Sequence, residues 1–295
     1  MKIIILGAGG IGSLVGALLS KKNDVLLVGK KPHADAISKN GLKIEGCINE
    51  TFRVKAAEEI KELNGDEIIV LSTKVGSSEE AINSIKNKLK KLNVVICLQN
   101  GLGNEDIVKK LVGCRVIRAI TTAGTTFLEA GKISCSNVGN IFLEESDASE
   151  KLAKEFSDSG IPTESDPKIK EKIWKKLIVN CALNPLTAIF RVRNGELERC
   201  PELVRSVVEE CVKVAAKDGI RLDAEETYKW VMKVIMDSAA NISSMHQDIL
   251  MKRKTEISFL NGKVVELAKK HGIEAPVNEA LVRMIGFVES NLTTK

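Results

Sequence analysis

Lys176, Asn180 and Asn184 recur every fourth residue within residues 173–187. On a helix that spacing sets one ammonium and two carboxamides on a single face, a set that can bind a polar substrate. The surrounding Leu177, Ile178, Val179, Cys181, Ala182 and Leu183 are apolar, so the stripe lies in a helix that otherwise wants burial. Buried polar groups need partners. Those partners are a substrate or, in the plainer alternative, a hydrogen-bond network between helices. Pro185 removes a backbone donor and disturbs the turn before it, which leaves a carbonyl open near Asn184.

A second constellation lies at the amino end. The run Ile3-Ile4-Ile5-Leu6 ends in Gly7-Ala8-Gly9-Gly10-Ile11-Gly12, a G-x-G-x-x-G between a strand-like and a helix-like segment. Gly7 permits the tight turn, Gly9 lets the main chain approach a pyrophosphate, and Gly12 lets the helix sit close to its strand. The free N–H groups at the helix start then face the anion. Ala8, Gly10 and Ile11 complete this candidate cofactor cradle. Asp24-Val25-Leu26-Leu27-Val28 follows at the distance of a second strand, which makes the turn part of a βαβ unit. That strand runs into Gly29-Lys30-Lys31, with no acid to meet a ribose 2′-hydroxyl. The cofactor is therefore read as NADPH, its 2′-phosphate held by Lys30 with help from Lys31, and NADH is the alternative.

The elements that must position these residues follow from periodicity. Up to about Gly160, strand-like runs alternate with helical ones, as in Glu67-Ile68-Ile69-Val70-Leu71-Ser72, Val94-Val95-Ile96-Cys97-Leu98 and Arg115-Val116-Ile117. The alternation implies an α/β fold, a Rossmann-type doubly wound sheet. Residues 119–144 are read as further strands that extend this sheet, antiparallel. After Asp166-Pro167 the spacing turns helical to the end, so the chain divides into a dinucleotide-binding domain, 1–166, and an all-helical substrate and catalytic domain, 167–295. The cleft between the two is the expected active site.

Ligands of open α/β sheets bind beyond the carboxyl ends of the strands. There Lys74, in Leu71-Ser72-Thr73-Lys74, can reach a ribose or phosphate, and Asn100, in Gln99-Asn100-Gly101, can hold the nicotinamide half or the substrate. The plainer reading is a loop lysine and an Asn-Gly turn. In residues 241–248, Asn241 and Ser244 are candidates for the substrate. Ser244 with Gln247 has the form of a capping box, and a helix start also suits a substrate carboxylate. Glu256, beside Lys252-Arg253-Lys254, reads by itself as a surface ion pair.

Composition bounds the partners. The 295 residues are 44% hydrophobic and 28% charged with a net charge of +5, ordinary values for a globular protein of two domains. Aromatic residues are only 3%, and no basic block is interleaved with them, so no nucleic-acid partner is expected. Seven scattered cysteines without a C-x-x-C pair read as reduced thiols in the cytoplasm, with no metal. No stretch is long enough to cross a bilayer. A homodimer is the assembly considered.

With these residues in view, the whole chain resembles the ketopantoate reductases. The resemblance runs from G-A-G-G-I-G through L-S-T-K-V and L-Q-N-G-L-G to W-K-K-L-I-V-N-C-A-L-N-P-L-T-A, N-I-S-S-M-H-Q-D and T-E-I-S-F-L-N-G. It implies reduction of 2-dehydropantoate to (R)-pantoate, a step toward pantothenate and coenzyme A. It also implies that Lys176 is the general acid and Glu256 the second catalytic residue, associated with the substrate's hydroxyl groups. Asn180, Asn184 and Ser244 match substrate positions of the family, Asn100 and Lys74 match positions at the junction of cofactor and substrate, and Glu256 is also taken as a candidate cofactor contact. Lys30 stands where many members have an arginine for the 2′-phosphate.

The chemistry fits these residues without the name. A ketone that accepts hydride becomes an alkoxide, and a nearby ammonium polarises the carbonyl and delivers the proton. Partial desolvation would bring Lys176 from about 10.4 toward neutral pH, and a close Glu256 would oppose that fall. In one straight helix Ser244 and Glu256 would lie about 120° apart, a poor arrangement for one substrate, so a break or new helix start is expected at residues 252–255. The competing readings are a β-hydroxyacid or sugar-acid dehydrogenase, and a nucleotide-binding redox sensor without turnover.

Overall fold

The computed structural model describes residues 1–292. It divides into two units, Met1–Gln99 with Gly103–Ile169, and Asn100–Leu102 with Lys170–Lys295. The first unit contains β1 (Lys2–Leu6), α1 (Gly10–Leu19), β2 (Asp24–Val28), α2 (Lys31–Asn40), β3 (Leu42–Gly46), β4 (Glu50–Phe52), β5 (Lys55–Ala57) and β6 (Ile68–Leu71). It continues through α3 (Ser78–Asn83), β7 (Val94–Cys97), α4 (Asn104–Leu111), β8 (Arg115–Thr121), β9 (Gly124–Glu129), β10 (Lys132–Asn137), β11 (Ile141–Glu144), α5 (Ser149–Asp158) and β12 (Thr163–Asp166).

Eight strands form the main sheet in the order β12-β11-β8-β7-β6-β1-β2-β5, parallel from β5 to β8. In β1, Ile3 and Ile5 join one core, with Leu14, Leu18 and Leu27, while Ile4 and Leu6 join another, with Ile69, Leu71 and Val95. Both faces of the sheet are covered, and for that reason β1 is uninterruptedly apolar rather than alternating.

The strands of residues 119–144 do not all extend this sheet. β11 does, antiparallel to β8. β9 and β10 instead form a second sheet with β3 and β4, in the order β4-β3-β10-β9, with β10 parallel to β3. Pairing partners lie about 90 residues apart here, and a local hydropathy pattern carries no information on which distant strand completes a ladder.

The second unit contains α6 (Ile169–Phe190), α7 (Pro201–Lys217), α8 (Ala224–Asp237), α9 (Ser244–Leu250), α10 (Asn261–Lys270) and α11 (Pro276–Ser290). Its core gathers Trp174, Leu177, Ile178, Cys181 and Leu186 of α6 with Val207, Cys211, Val231, Val264 and Ile285. α6 is apolar on nearly every side because it is packed on nearly every side, and the Trp174 indole N–H donates to Asp218 at 2.9 Å. Among the described residues no helix is long and apolar enough to cross a membrane.

Candidate active site

In the first unit, the glycines at positions 7, 9 and 12 meet three different demands. Gly7 has φ +112°, and a Cβ there would lie 2.5 Å from the Thr73 backbone nitrogen. At Gly12 a Cβ would come within 2.3 Å of the Gly7 carbonyl oxygen and 2.5 Å of Ser72 Oγ. At Gly9 it would meet nothing within 4 Å, so the turn is open on the one side from which an anion would approach. No side chain caps α1, and its first N–H groups have no partners within the helix. A dinucleotide pyrophosphate fits this cradle. Gly16, within α1, is also closely packed: a Cβ there would lie 2.2 Å from Leu27 Cδ2 of β2.

The ends of β1, β2 and β6 are tied around this turn. Gly7 and Ala8 N–H donate to the Val28 carbonyl at 3.0 and 2.8 Å, and Ser72 Oγ donates to the Gly7 carbonyl at 3.0 Å. Gln99 Nε2 fastens the loop after β6 by donating to the Thr73 carbonyl and Ser78 Oγ, both at 2.7 Å. Lys74 is exposed at the end of that loop, and Lys30 is exposed at the start of α2. Gly10 and Ile11 open α1, and Gly10 lies against Thr125 of β9. The contrast between the glycines sets a test. Gly12→Ala should cost about 1–3 kcal/mol of stability through overpacking. Gly9→Ala should melt like the parent yet bind dinucleotide at least about tenfold more weakly, because only the approach of the anion is obstructed. Thermal melts beside binding titrations read both.

In the second unit, α6 carries half-buried Lys176, half-buried Asn180 and buried Asn184. Eight residues at 1.5 Å rise spread them over about 12 Å. Burial brings the Lys176 ammonium down to about 8, while the Glu256 carboxylate acts in the opposite direction. The two side chains are thus brought together from positions 80 residues apart. Thr255 holds the segment: its N–H donates to Glu289 Oε1 at 2.7 Å, and its Oγ1 accepts from Ile257 N–H at 3.2 Å. The chain breaks before it, since α9 ends at Leu250 and Lys252 has φ +52°. Glu256 precedes the short 3-10 turn Ile257–Phe259. Against that turn lies the loop carrying Asn100: a Cβ on Gly101, φ +89°, would be 2.7 Å from the Phe259 carbonyl oxygen. Asn100 and Glu256, read for cofactor as well as substrate, therefore both belong to the helical unit.

The carboxyl half of α6 meets the start of α9. Thr187 Oγ1 lies 2.7 Å from Ser243 Oγ, which accepts the His246 N–H at 3.2 Å. Ser243, not Ser244, is the N-cap. Gln247 Nε2 donates to the Ile242 carbonyl at 2.8 Å and makes no capping box. With its neighbour capping the helix, Ser244 is an exposed first-turn residue, and Asn184 lies three residues before the Thr187 that contacts this cap. Asn241 is exposed, its carbonyl accepting the Asn194 N–H at 3.0 Å. Asn194 itself is buried; its Asn-Gly pair reads in sequence as a turn, which conceals the role of seating the Asn241 loop.

Pro185 lies inside α6 without ending it. The missing N–H would have served Cys181, four residues back, and the Asn261 side-chain amide supplies it, donating to the Cys181 carbonyl at 3.0 Å. The deprived carbonyl is therefore that of Cys181, whereas Asn184's lies 3.1 Å from Thr187 Oγ1. Asn261 also donates to Asn278 Oδ1 at 2.9 Å, and Asn278 donates to Glu210 Oε2 at 2.8 Å. Glu210 also accepts the N–H groups of Val277 and Asn278 at the start of α11. This buried chain completes the helix beneath Asn180 and Asn184. The sequence signal for it was the proline, which implies a donor elsewhere without saying which.

Residues 3–148 match the family described as "Ketopantoate reductase PanE/ApbA", and residues 168–289 match "Ketopantoate reductase PanE/ApbA C terminal". The chain is 38% identical to the 2-dehydropantoate 2-reductase of Pyrococcus horikoshii, over 98% of each chain. Among solved structures it is similar to a PanE/ApbA family ketopantoate reductase from Ralstonia eutropha JMP134, with a TM-score of 0.92 and 28% identity over 99% of both chains. It is also similar to D-mandelate dehydrogenase in a ternary structure with NADH and anilino(oxo)acetate, with a TM-score of 0.94 and 29% identity over all of both chains.

Proposed function

The chain belongs to the ketopantoate reductase family, and from that premise we propose that it reduces 2-dehydropantoate to (R)-pantoate, with Lys176 as the proton donor. The observation that carries this reading is the Lys176 ammonium, brought to about 8 by burial, with Glu256 opposing, on the helix face that also presents Asn180 and Asn184. A general acid is most effective when its pKa lies near the working pH.

Gly7, Gly9, Gly10 and Gly12 would hold the nicotinamide dinucleotide, which when bound would supply a hydride to the ketone carbon and leave the negative charge on the ketone oxygen. Lys176 Nζ polarises the ketone oxygen, then transfers its proton there and is left neutral until solvent recharges it. Glu256 accepts hydrogen bonds from the substrate's hydroxyl groups and keeps Lys176 charged. Asn180, Asn184, Asn241, Ser244 and Asn100 hold the remainder of the substrate. Lys74 steadies the cofactor.

Loss of NADPH or NADH absorbance on addition of 2-dehydropantoate tests the activity, and absence of turnover with either cofactor overturns it. Other 2-oxo acids belong in the same assay, because D-mandelate dehydrogenase is among the similar structures. NADPH is the proposed cofactor. Lys31 is paired with Asp35 at 3.4 Å, whereas Lys30 makes no ion pair among the described residues, which favours it as the 2′-phosphate partner. Lys30→Ala should weaken NADPH binding about 10- to 100-fold, the scale of a charge-assisted hydrogen bond, and leave NADH binding near its starting value. Equal losses for both would remove the assignment. A homodimer is the proposed assembly, supported by exposed Met284 beside Phe190 on the helical unit, and a mass from sedimentation equilibrium decides it.

A further inference from the structure

Two cysteines that the proposed reaction does not use face each other where the chain leaves β3 of the four-stranded sheet. Cys47 Sγ lies 2.9 Å from Cys135 Sγ, inside the contact distance of two sulfurs that are not bonded. The main chain holds them there. Gly46, the last residue of β3, is in register with Cys135 of β10, and the Cys47 N–H donates to the Cys135 carbonyl at 2.8 Å. Gly46 has φ +108°, and a Cβ there would lie 2.2 Å from that carbonyl, so only glycine allows the two strands to come this close. Asn49 closes the turn, its Nδ2 donating to the Gly46 carbonyl at 2.9 Å. One sulfur is accessible and the other is not: Cys47 is exposed and Cys135 is fully buried.

We propose that Cys47 and Cys135 form a thiol–disulfide site, oxidised by low-molecular-weight disulfides of the glutathione type, that bonds β3 covalently to β10. Cys47 is the residue after β3, one step past the Gly46–Cys135 pair, and a spacing of about 4.8 Å between neighbouring strands is compatible with the α-carbon separation a disulfide requires. Exchange begins at the accessible sulfur. The Cys47 thiolate attacks one sulfur of the small disulfide, forming a mixed disulfide and releasing one small thiol. Cys135 then loses its proton and attacks Cys47 Sγ, which forms the internal bond and expels the second small thiol. Two electrons pass from the cysteine pair to the small disulfide, and both protons end on the released thiols. Burial, with Cys47 alongside, pushes the Cys135 thiol up to about 12, so the first attack belongs to Cys47 and closure is the slow step.

The full-length protein, reduced and freed of reductant, is incubated with oxidised glutathione under native conditions, alkylated and digested without reduction. The expected product is a peptide pair joined through Cys47 and Cys135, with melting raised by roughly 5–10 °C, the scale for closing a loop of nearly 90 residues in a protein of this size. Cys47→Ser, an exposed substitution that leaves the core intact, should abolish both the joined peptide and the shift. The proposal is overturned if the native protein carries a glutathione on Cys47 with Cys135 alkylated as a free thiol. It is equally overturned if the joined peptide forms only in denaturant. Neither readout depends on turnover, so the result stands apart from the assigned reductase activity.

Discussion

Replacing Lys176 with alanine should lower kcat for 2-dehydropantoate reduction by about 10²–10⁴-fold, the range of general acid catalysis, while the separately measured dissociation constant for NADPH should stay near its starting value. The separation is expected because the nucleotide cradle is built in the first unit and Lys176 in the second. The parent enzyme adds a pH signature. The proposed proton donor must be charged, so kcat should fall as pH rises through about 8, the value to which burial brings Lys176. The same lowered pKa has the reverse effect on stability. Between about 8 and 10.5 the unfolded chain binds more protons at this residue than the folded one, so the contribution of Lys176 to stability rises with pH across that window. Activity and stability thus move in opposite directions there, and Lys176→Ala removes both dependences. A folded Lys176→Ala enzyme with near-normal kcat would return the polar stripe to a hydrogen-bond network between helices.

Glu256→Gln should have the next largest effect, through two separable routes. The carboxylate field is what opposes the fall in the Lys176 pKa, so its neutralisation lets the ammonium lose its proton more readily. The alkaline limb of the kcat profile then moves below about 8. Glutamine also exchanges a charged acceptor for a neutral amide, and kcat/KM should drop about 10- to 100-fold, the cost of one lost charge-assisted hydrogen bond in a desolvated site. Rate profiles between pH 6 and 9 distinguish the routes. A drop in kcat/KM with an unmoved alkaline limb would leave Glu256 as a substrate ligand without influence on the donor.

Among the residues that build these predictions, some were legible in the chain and others were not. The glycine turn, the strand before it and the strand Asp24–Val28 were legible because a βαβ unit is a local structure whose signals lie within about 30 residues. The face shared by Lys176, Asn180 and Asn184 was legible because helical period alone sets it. The break after α9 followed from an angle. By contrast, the N-cap fell on Ser243 instead of Ser244, since two adjacent serines are equivalent caps until Thr187 arrives from α6 to contact one of them.

By itself, then, the sequence determined the kinds of element, their order and the chemistry each can carry: a parallel sheet, a glycine cradle and a helix with a lysine and two amides on one side. Only the tertiary structure decided which of these groups meet. It assigned β9 and β10 to a second sheet, seated the loop of Asn100 against Phe259, answered Pro185 with Asn261, and set the charge of Glu256 against a Lys176 desolvated by its surroundings. The physical reason is range. Periodicity and turn chemistry act between residues close in the chain, whereas desolvation, coulombic fields and strand pairing depend on neighbours that only packing brings together.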